Sequence, residues 1–482
     1  MMEHITGTPR EQIELFPEAI EDYISDENPV RFIDTFVDYL DIVKLGFEKA
    51  ELARTGTPPY WPGDLLKLYL YGYLNRIRSS RRLELETRRN LEVMWLLRKL
   101  SPDHKTISDF RRDNRDAIRA VCKNFVVLCQ GMDLFGRELV AIDGSKLRAS
   151  NSKRKNFTKK ELKERLKRIE RNINEYLKNL ETNDREESHL PEKDAGTLDQ
   201  KIRDLKERQR KYNKLMQELE ETGQRQISLT DKDARQMVSH GKAEVCYNLQ
   251  TVVDEKYKMI PEHEVTTDVN DKRQLSSMAI KAKGTLGADK LEVVADKGYT
   301  ASAEIKRCEE EGITPYVPVQ NPIEKRKSNV PTPDFYHSKF QYDKERDLYI
   351  CPQNQKLKLT HKTWLQGHWV SIYITNGCRG CKVRSQCTVN KQGRRICRSE
   401  DEEVLQRMRE RISEHPEKLK QRKCLSEHPF GTIKHTWNQG SFLLRGLENV
   451  RVEASLSILA YNMRRAMTVL GVPALLQHLS SA

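Results

Sequence analysis

"RELVAIDGSKLRAS", residues 137–150, is where the reading of the chain turns. Four apolar residues, Leu139 to Ile142, run without interruption and stop at Asp143-Gly144. A short apolar run closed by a turn pair reads as a buried strand, so the Asp143 carboxylate is expected where a strand meets its loop. "LEVVADKGY" (291–299) repeats the arrangement and ends at Asp296. Between the two, "EVCYNLQTVVD" (244–254) and "MIPEHEVTTD" (259–268) read as adjacent strands, and "DKRQLSSMAIKAKGTL" (271–286) as a helix. "SAEIKRCEEEG" (302–312) follows as a short helix closed by Gly312, and "ITPYVPV" (313–319) as a further strand. Strands alternating with helices in this order predict an α/β fold with a mixed sheet.

Working outward, residues 58–130 carry apolar side chains at helical spacing and predict three helices. "PPYWPGDLLKLYLYGYLNRI" (58–77) opens on prolines, and "SSRRLELETRRNLEVMWLLRKL" (79–100) puts Leu83, Leu91, Met94 and Trp95 on one side. In "DHKTISDFRRDNRDAIRAVCKNFVVLCQ" (103–130), Thr106 is the expected N-cap. The three could form a helix-turn-helix-like module whose Arg111, Arg112 and Arg115 reach DNA phosphates. A structural helical bundle with solvated arginines is the alternative.

Residues 157–219 differ from both. Leu162, Leu166, Ile169, Ile173, Tyr176 and Leu180 alternate spacings of four and three, and Leu198, Ile202, Leu205, Tyr212, Met216 and Leu219 do much the same. Two heptad seams separated by the polar stretch 181–197 predict an antiparallel coiled-coil hairpin inserted at 152–226. From 323 to 413 the chain is basic, rich in Tyr and Trp, and strand-like at "FQYDKERDLYICP" and "TWLQGHWVSIYI", which predicts a β-rich insertion. Helices return after it.

The 482 residues carry a formal charge of +14 and a pI near 9.1. Residues 1–51 hold 13 acidic side chains against 4 basic ones, so the rest of the chain stands at about +23. A strongly basic body points to a polyanion, nucleic acid before others. The N-terminus lacks the basic-then-apolar pattern of a signal peptide and no long apolar stretch occurs, so the expected location is cytoplasmic, without membrane contact. Of ten cysteines, five fall between 351 and 397. In a reducing compartment such clustering suggests metal more than disulfides. Cys378-x2-Cys381 with Cys351 and Cys387 supplies four thiolates suited to structural Zn²⁺, with reduced free thiols as the alternative.

Asp143 and Asp296 would approach each other if their strands are neighbours, and Glu427 in "RKCLSEHPFGTIKHTW" (422–437) could complete a cluster from a later helix. Three carboxylates suit Mg²⁺ or Mn²⁺, and two such ions serve the in-line displacements of phosphodiester chemistry. If Glu427 begins a helix, Lys434 lies seven residues on and on the same face.

"VAIDGSKLRAS", "VVADKGYTASAEI" and "SEHPFGTIKHTW" resemble the three catalytic blocks of bacterial insertion-sequence transposases of the DDE type, which have a ribonuclease-H-like core. "LTDKDARQM" (229–237) and "VTTDVNDKRQL" (265–275) resemble their connecting segments, and residues 58–130 their N-terminal domain. The likeness is to the insertion-sequence family numbered eleven-eighty-two and covers nearly the whole chain. It implies that Asp143, Asp296 and Glu427 bind the two metal ions and that Lys434 serves catalysis and holds DNA. It also implies a DNA contact from Lys423, while Trp437 is a candidate for stacking on an unpaired terminal base, with a place in the buried core as the alternative. Lys420 and Lys423 stand where such enzymes usually carry Tyr and Arg, so the planar guanidinium fork is missing at 423.

The implied organisation is an N-terminal helical DNA-binding domain (1–135) and a ribonuclease-H-like core (136–322) interrupted by the hairpin. The β-rich cysteine insertion (323–413) follows, then a helical C-terminal part (414–482) carrying the Glu. The implied activity is cleavage at terminal inverted repeats and strand transfer into target DNA by a homodimer on double-stranded DNA, at the nucleoid. Two readings stand beside it: a nuclease of the same fold that cuts without joining, and a catalytically inactive DNA-binding regulator derived from a transposase.

Overall fold

The computed structural model describes residues 19–481 apart from 53, 56–57, 153–154, 186–191, 225, 240, 320–329 and 366–367. Residues 1–18, the expected boundary at 322/323 and the side chains of Leu180 and Leu198 lie outside the described residues.

The N-terminal part is helical: α1 (Pro29–Tyr39), α2 (Pro62–Leu74), α3 (Ser80–Arg89), α4 (Leu91–Leu96), α5 (His104–Asp113) and α6 (Arg115–Gly131). The three helices expected over 58–130 are five, because two asparagines interrupt them. Asn90 ends α3 and caps α4 by accepting from the Val93 amide at 3.3 Å, and Asn114 separates α5 from α6. The cap of α5 is Asp103, which accepts from the Thr106 amide at 2.8 Å, and not Thr106 itself. A carboxylate there accepts well and also faces the positive end of the helix dipole. Every residue of α2 is buried, Lys67 included, whose ammonium meets Asp34 at 2.6 Å and Asp38 at 2.7 Å on α1.

The central sheet contains β1 (Leu139–Arg148), β4 (Arg235–Ser239), β5 (Lys242–Asp254), β6 (Glu262–Thr266), β7 (Leu291–Ala295) and β8 (Ile313–Tyr316). Its order is β4-β5-β1-β7-β8, with β6 also on β5. β1 runs antiparallel to β5 and parallel to β7, which runs parallel to β8. The expected mixed sheet is present, but β1 does not end at Asp143. Its pairing with β7 stops at Ile142↔Ala295, while its pairing with β5 continues to Arg148↔Cys246. Alternate residues face opposite layers. Val140, Ile142, Val293 and Ala295 join the main core together with α6, α9 (Leu275–Leu286) and α14 (Leu447–Leu470). Leu139, Ala141 and Val294 pack on the other face with Tyr316 and with Leu425 of α13 (Pro416–Phe430).

Between β1 and β4, β2 (Asn156–Thr158) pairs with β3 (Gln226–Ser228) at the base of α7 (Lys159–Arg185) and α8 (Glu192–Glu221). Phe157, Leu162, Leu215, Leu219 and Ile227 form a separate small core there. Leu162, Ile169 and Ile173 of α7 are buried, as are Ile202 and Leu219 of α8; Leu215, which the seam omits, is more buried than Met216, which it includes.

A five-stranded antiparallel sheet follows α10 (Ser302–Glu310) and β8: β9 (Gln341–Asp343), β10 (Leu348–Ile350), β11 (Lys356–Leu365), β12 (His368–Ile374) and β13 (Arg395–Ser399), with α11 (Arg384–Cys387) between the last two. It has its own core of Phe340, Tyr349, Leu357, Tyr373 and Ile396. α12 (Glu402–Glu414), counted with this insertion above, is tied to the central sheet, its Arg411 donating to the Pro315 carbonyl and to Glu309 at 2.8 Å each. α13, α14 and α15 (Val472–Ser481) complete the chain. α14 packs on α2, α6 and β6, and its fully buried Glu453 meets Arg78, between α2 and α3, at 3.0 Å. No described helix is long and apolar enough to cross a membrane.

Candidate active site

Asp143 on β1 and Asp296 just past β7 each stand one residue beyond the last β1–β7 pair, Ile142↔Ala295. Each is anchored by the backbone that follows it: the Gly144 amide donates to Asp143 at 2.8 Å and the Gly298 amide to Asp296 at 2.6 Å. Burial raises the pKa of Asp143, and the charge of Asp296 pushes it the same way; Arg422 of α13, 3.8 Å away, opposes them. The buried hydroxyl of Ser426 leans toward the same carboxylate without completing a hydrogen bond.

A third aspartate belongs to this neighbourhood. Asp271, in the loop after β6, accepts from Lys146 at 2.9 Å through one oxygen, and from the amides of Asn248 at 2.7 Å and Gln250 at 2.8 Å through the other. Gln250 in turn accepts from the Tyr299 hydroxyl at 2.5 Å. That phenol is kept protonated first by burial and then by the charges of Asp271, Asp143 and Asp296 around it. The packing demands glycine at 144, where a Cβ would stand 2.3 Å from the Gln250 amide nitrogen and 2.8 Å from Asp271 Oδ1. Sequence reading passed over Asp271 because it follows a polar stretch, "TTDVN", with no apolar run to mark it. Asp271→Ala removes the shared acceptor of three buried or half-buried donors. It is expected to cost about 1–3 kcal/mol, read as a lower urea midpoint.

Glu427 does not begin a helix; it lies near the end of α13. The face of α13 turned to Asp143 carries Arg422 and Ser426, and Glu427, about 100° further round, is exposed. Pro429, within the last turn, has no amide hydrogen to continue the helical ladder, and the chain passes into a π turn over Gly431–Thr436. The turn carries Lys434 to β1, where its ammonium donates to Ser145 Oγ at 2.9 Å. Burial lowers the pKa of Lys434, and the nearby Asp143 works against that. His428 holds the end of α13 to α14 through the Tyr461 hydroxyl at 2.8 Å.

The expected DNA-contact residues divide. Lys423 is exposed, and Arg112 is exposed but paired with Asp109 and Asp113 at 2.7 and 2.8 Å; Arg115 is half-buried. Arg111 is only 8% exposed, its guanidinium 5.3 Å from the centre of the Tyr69 ring, so it packs the bundle and cannot reach a phosphate from the surface. Trp437, at 3% exposed, belongs to the main core and is not available to stack on a base. Their apolar surroundings, set by the fold, override the polar roles their residue types suggest. Among the described residues, no group of three or more His, Cys, Asp or Glu side chains is drawn together closely enough to hold a metal ion.

Residues 18–113 match a transposase domain (DUF772), and residues 350–467 match a transposase DDE domain. The two matches together indicate an insertion-sequence transposase of the DDE type. The second match takes in Glu427 and Lys434 of this transposase, and Asp143 and Asp296 lie before it. A solved piggyBac transposase synaptic complex with hairpin DNA is 10% identical, over 94% of this chain and 79% of that one, with a TM-score of 0.29, and at that level carries no argument. No curated protein matches the transposase.

Proposed function

We propose that this transposase nicks DNA at the terminal inverted repeats of its own mobile element, releases 3′-hydroxyls and joins them to target DNA. The observation that carries the reading is the adjacent pair Asp143 and Asp296 at the point where two parallel strands part, with Lys434 beside them. The strand order β6-β5-β1-β7-β8, antiparallel through β1 and parallel from it, supports a ribonuclease-H-like core.

Asp143 and Asp296, with Glu427, would hold Mg²⁺ or Mn²⁺. Hard oxygen donors fit these ions, and a cation would offset the burial, and after it the charge of Asp296, that raise the pKa of Asp143. When bound, two such ions activate an attacking water or hydroxyl and stabilise the leaving oxygen. Lys434 supplies a fixed positive charge for a phosphate at the same edge of β1. Arg422 balances the Asp143 charge until DNA and cations take that place. Glu427 would complete the set from α13, one residue beyond Ser426. Lys423, Arg112 and Arg115 meet DNA backbone from the surface, and two ends held at once call for a homodimer on DNA, at the nucleoid.

Pre-cleaved inverted-repeat ends incubated with target DNA test the reading. Covalent end–target products are expected. Nicking without products would indicate a nuclease of the same fold, and binding without nicking a DNA-binding regulator.

A further inference from the structure

The β-rich sheet holds a second site, far from the carboxylates in chain position and independent of any reading of the DNA chemistry. Cys351, Cys378, Cys381 and Cys387 line one small cavity, walled on its other sides by Phe335, Phe340 and Leu357. They come from two turns and a short helix: Cys351 opens the turn between β10 and β11, Cys378 and Cys381 lie on and just after the turn Asn376–Gly380, and Cys387 closes α11. Two backbone amides point at sulfur, Gln355 to Cys351 at 3.3 Å and Arg394 to Cys378 at 3.4 Å. Gly393, at φ +96°, lets the chain pass Cys378 closely enough for this, since a Cβ there would lie 2.8 Å from the Cys378 Cβ. Amides directed at sulfur favour the thiolate over the thiol.

The second observation is Arg394. It lines the same cavity, is only 7% exposed, and its Nε and Nη2 have no hydrogen-bond partner among the described residues. Its guanidinium stacks 5.3 Å from the centre of the Phe340 ring, which compensates a small part of the cost of burying the charge. A buried guanidinium without an anion is otherwise strongly unfavourable. Four neutral thiols give it no counter-charge, whereas four thiolates around a divalent cation carry a net charge of −2 and several acceptor lone pairs.

We propose that Cys351, Cys378, Cys381 and Cys387 bind a structural zinc ion and that Arg394 is the counter-ion of the resulting four-thiolate centre. Zinc enters as Zn²⁺, the four S–H groups lose their protons to solvent, and four Zn–S bonds form with no change of oxidation state. The sulfurs line the cavity without being gathered round one point, and metal entry draws them together by side-chain rotation. Cys397, on β13 and outside the cavity lining, takes no part.

The full-length chain purified with reductant is expected to carry one zinc per chain by elemental analysis. Replacing the zinc with cobalt should give the absorption of a tetrahedral thiolate site. The double variant Cys381→Ser/Cys387→Ser should lose the metal and Cys397→Ser keep it. Arg394→Gln, which retains all four sulfurs, should lower zinc affinity roughly 10–100-fold in competition with a chelator, the range of outer-shell partners of metal ligands. Metal-free wild type whose thiols react freely, a disulfide among the four cysteines, or full zinc in the double variant would overturn the site. Unchanged zinc affinity in Arg394→Gln would overturn the counter-ion.

Discussion

Asp143→Asn is expected to abolish divalent-metal-dependent nicking, by about 10³-fold or more, since a metal-held phosphoryl transfer depends on several kcal/mol of charge stabilisation. The substitution keeps the size of the side chain and its acceptor for the Gly144 amide, so the loss would be one of charge. Burial raises the Asp143 pKa, and Asp296 adds to it. Protonated Asp143 cannot ligate a cation, so wild-type nicking should fall as pH drops through that raised value, at a higher pH than an exposed aspartate would impose. Arg422→Ala removes a charge that lowers the pKa, and should move the fall further up in pH. The stability sign is opposite to that of activity. A folded-state pKa above the unfolded one gives a contribution fully present below the unfolded pKa and lost as pH rises through the folded one. At neutral pH, where wild type has lost it, Asp143→Asn should therefore melt at or above the wild-type temperature, with the gap closing toward acid. Nicking that survives the substitution, or a variant that melts well below wild type at neutral pH, would sink the assignment.

Glu453→Ala should be the most destabilising single change outside the apolar core, at about 3–5 kcal/mol, the cost of leaving half of a buried ion pair. Glu453 is fully buried and accepts from Arg78 at 3.0 Å, from the Leu443 amide at 3.0 Å and from the Leu444 amide at 2.9 Å. Its loss leaves a guanidinium and two backbone amides short of partners together. Glu453→Gln keeps an acceptor for some of them and should cost less, about 1.5–3 kcal/mol for the charge-assisted part. Chemical denaturation of both variants checks the order. A loss under about 1 kcal/mol for the alanine variant would show that water replaces the carboxylate there.

Much of this architecture was legible because local pattern and burial agree. The runs Leu139–Ile142 and Val293–Ala295 are apolar because both faces of their strands are covered, and that is why each strand could be read with its terminal aspartate. What escaped reading is what only three dimensions decide. β1 continues through Asp143, Gly144 and Ser145 because β5 supplies its hydrogen bonds, which no residue of β1 announces. Asp271 lies 128 positions from Asp143 in the sequence, on a polar loop, and its partnership with Lys146 depends on the β1–β5 register. Arg111 and Trp437 could be read either as DNA contacts or as packing residues, and the packing of α2, α6 and α14 encloses them, which residue type alone does not announce. Pro429 in "SEHPFG" does not end α13, which runs on to Phe430 and then into the π turn, and so Lys434 meets Ser145.

The twenty-four residues of α14 follow the whole sheet and both insertions, yet they sit between the first helices and the sheet. A ribosome must therefore have made everything through residue 470 before the amino-terminal bundle can close. A copy of the gene cut short by a stop codon ahead of α14 would leave α2 and α6 without the helix that covers them. Any form that kept the fold and lost only its chemistry would have to retain α14.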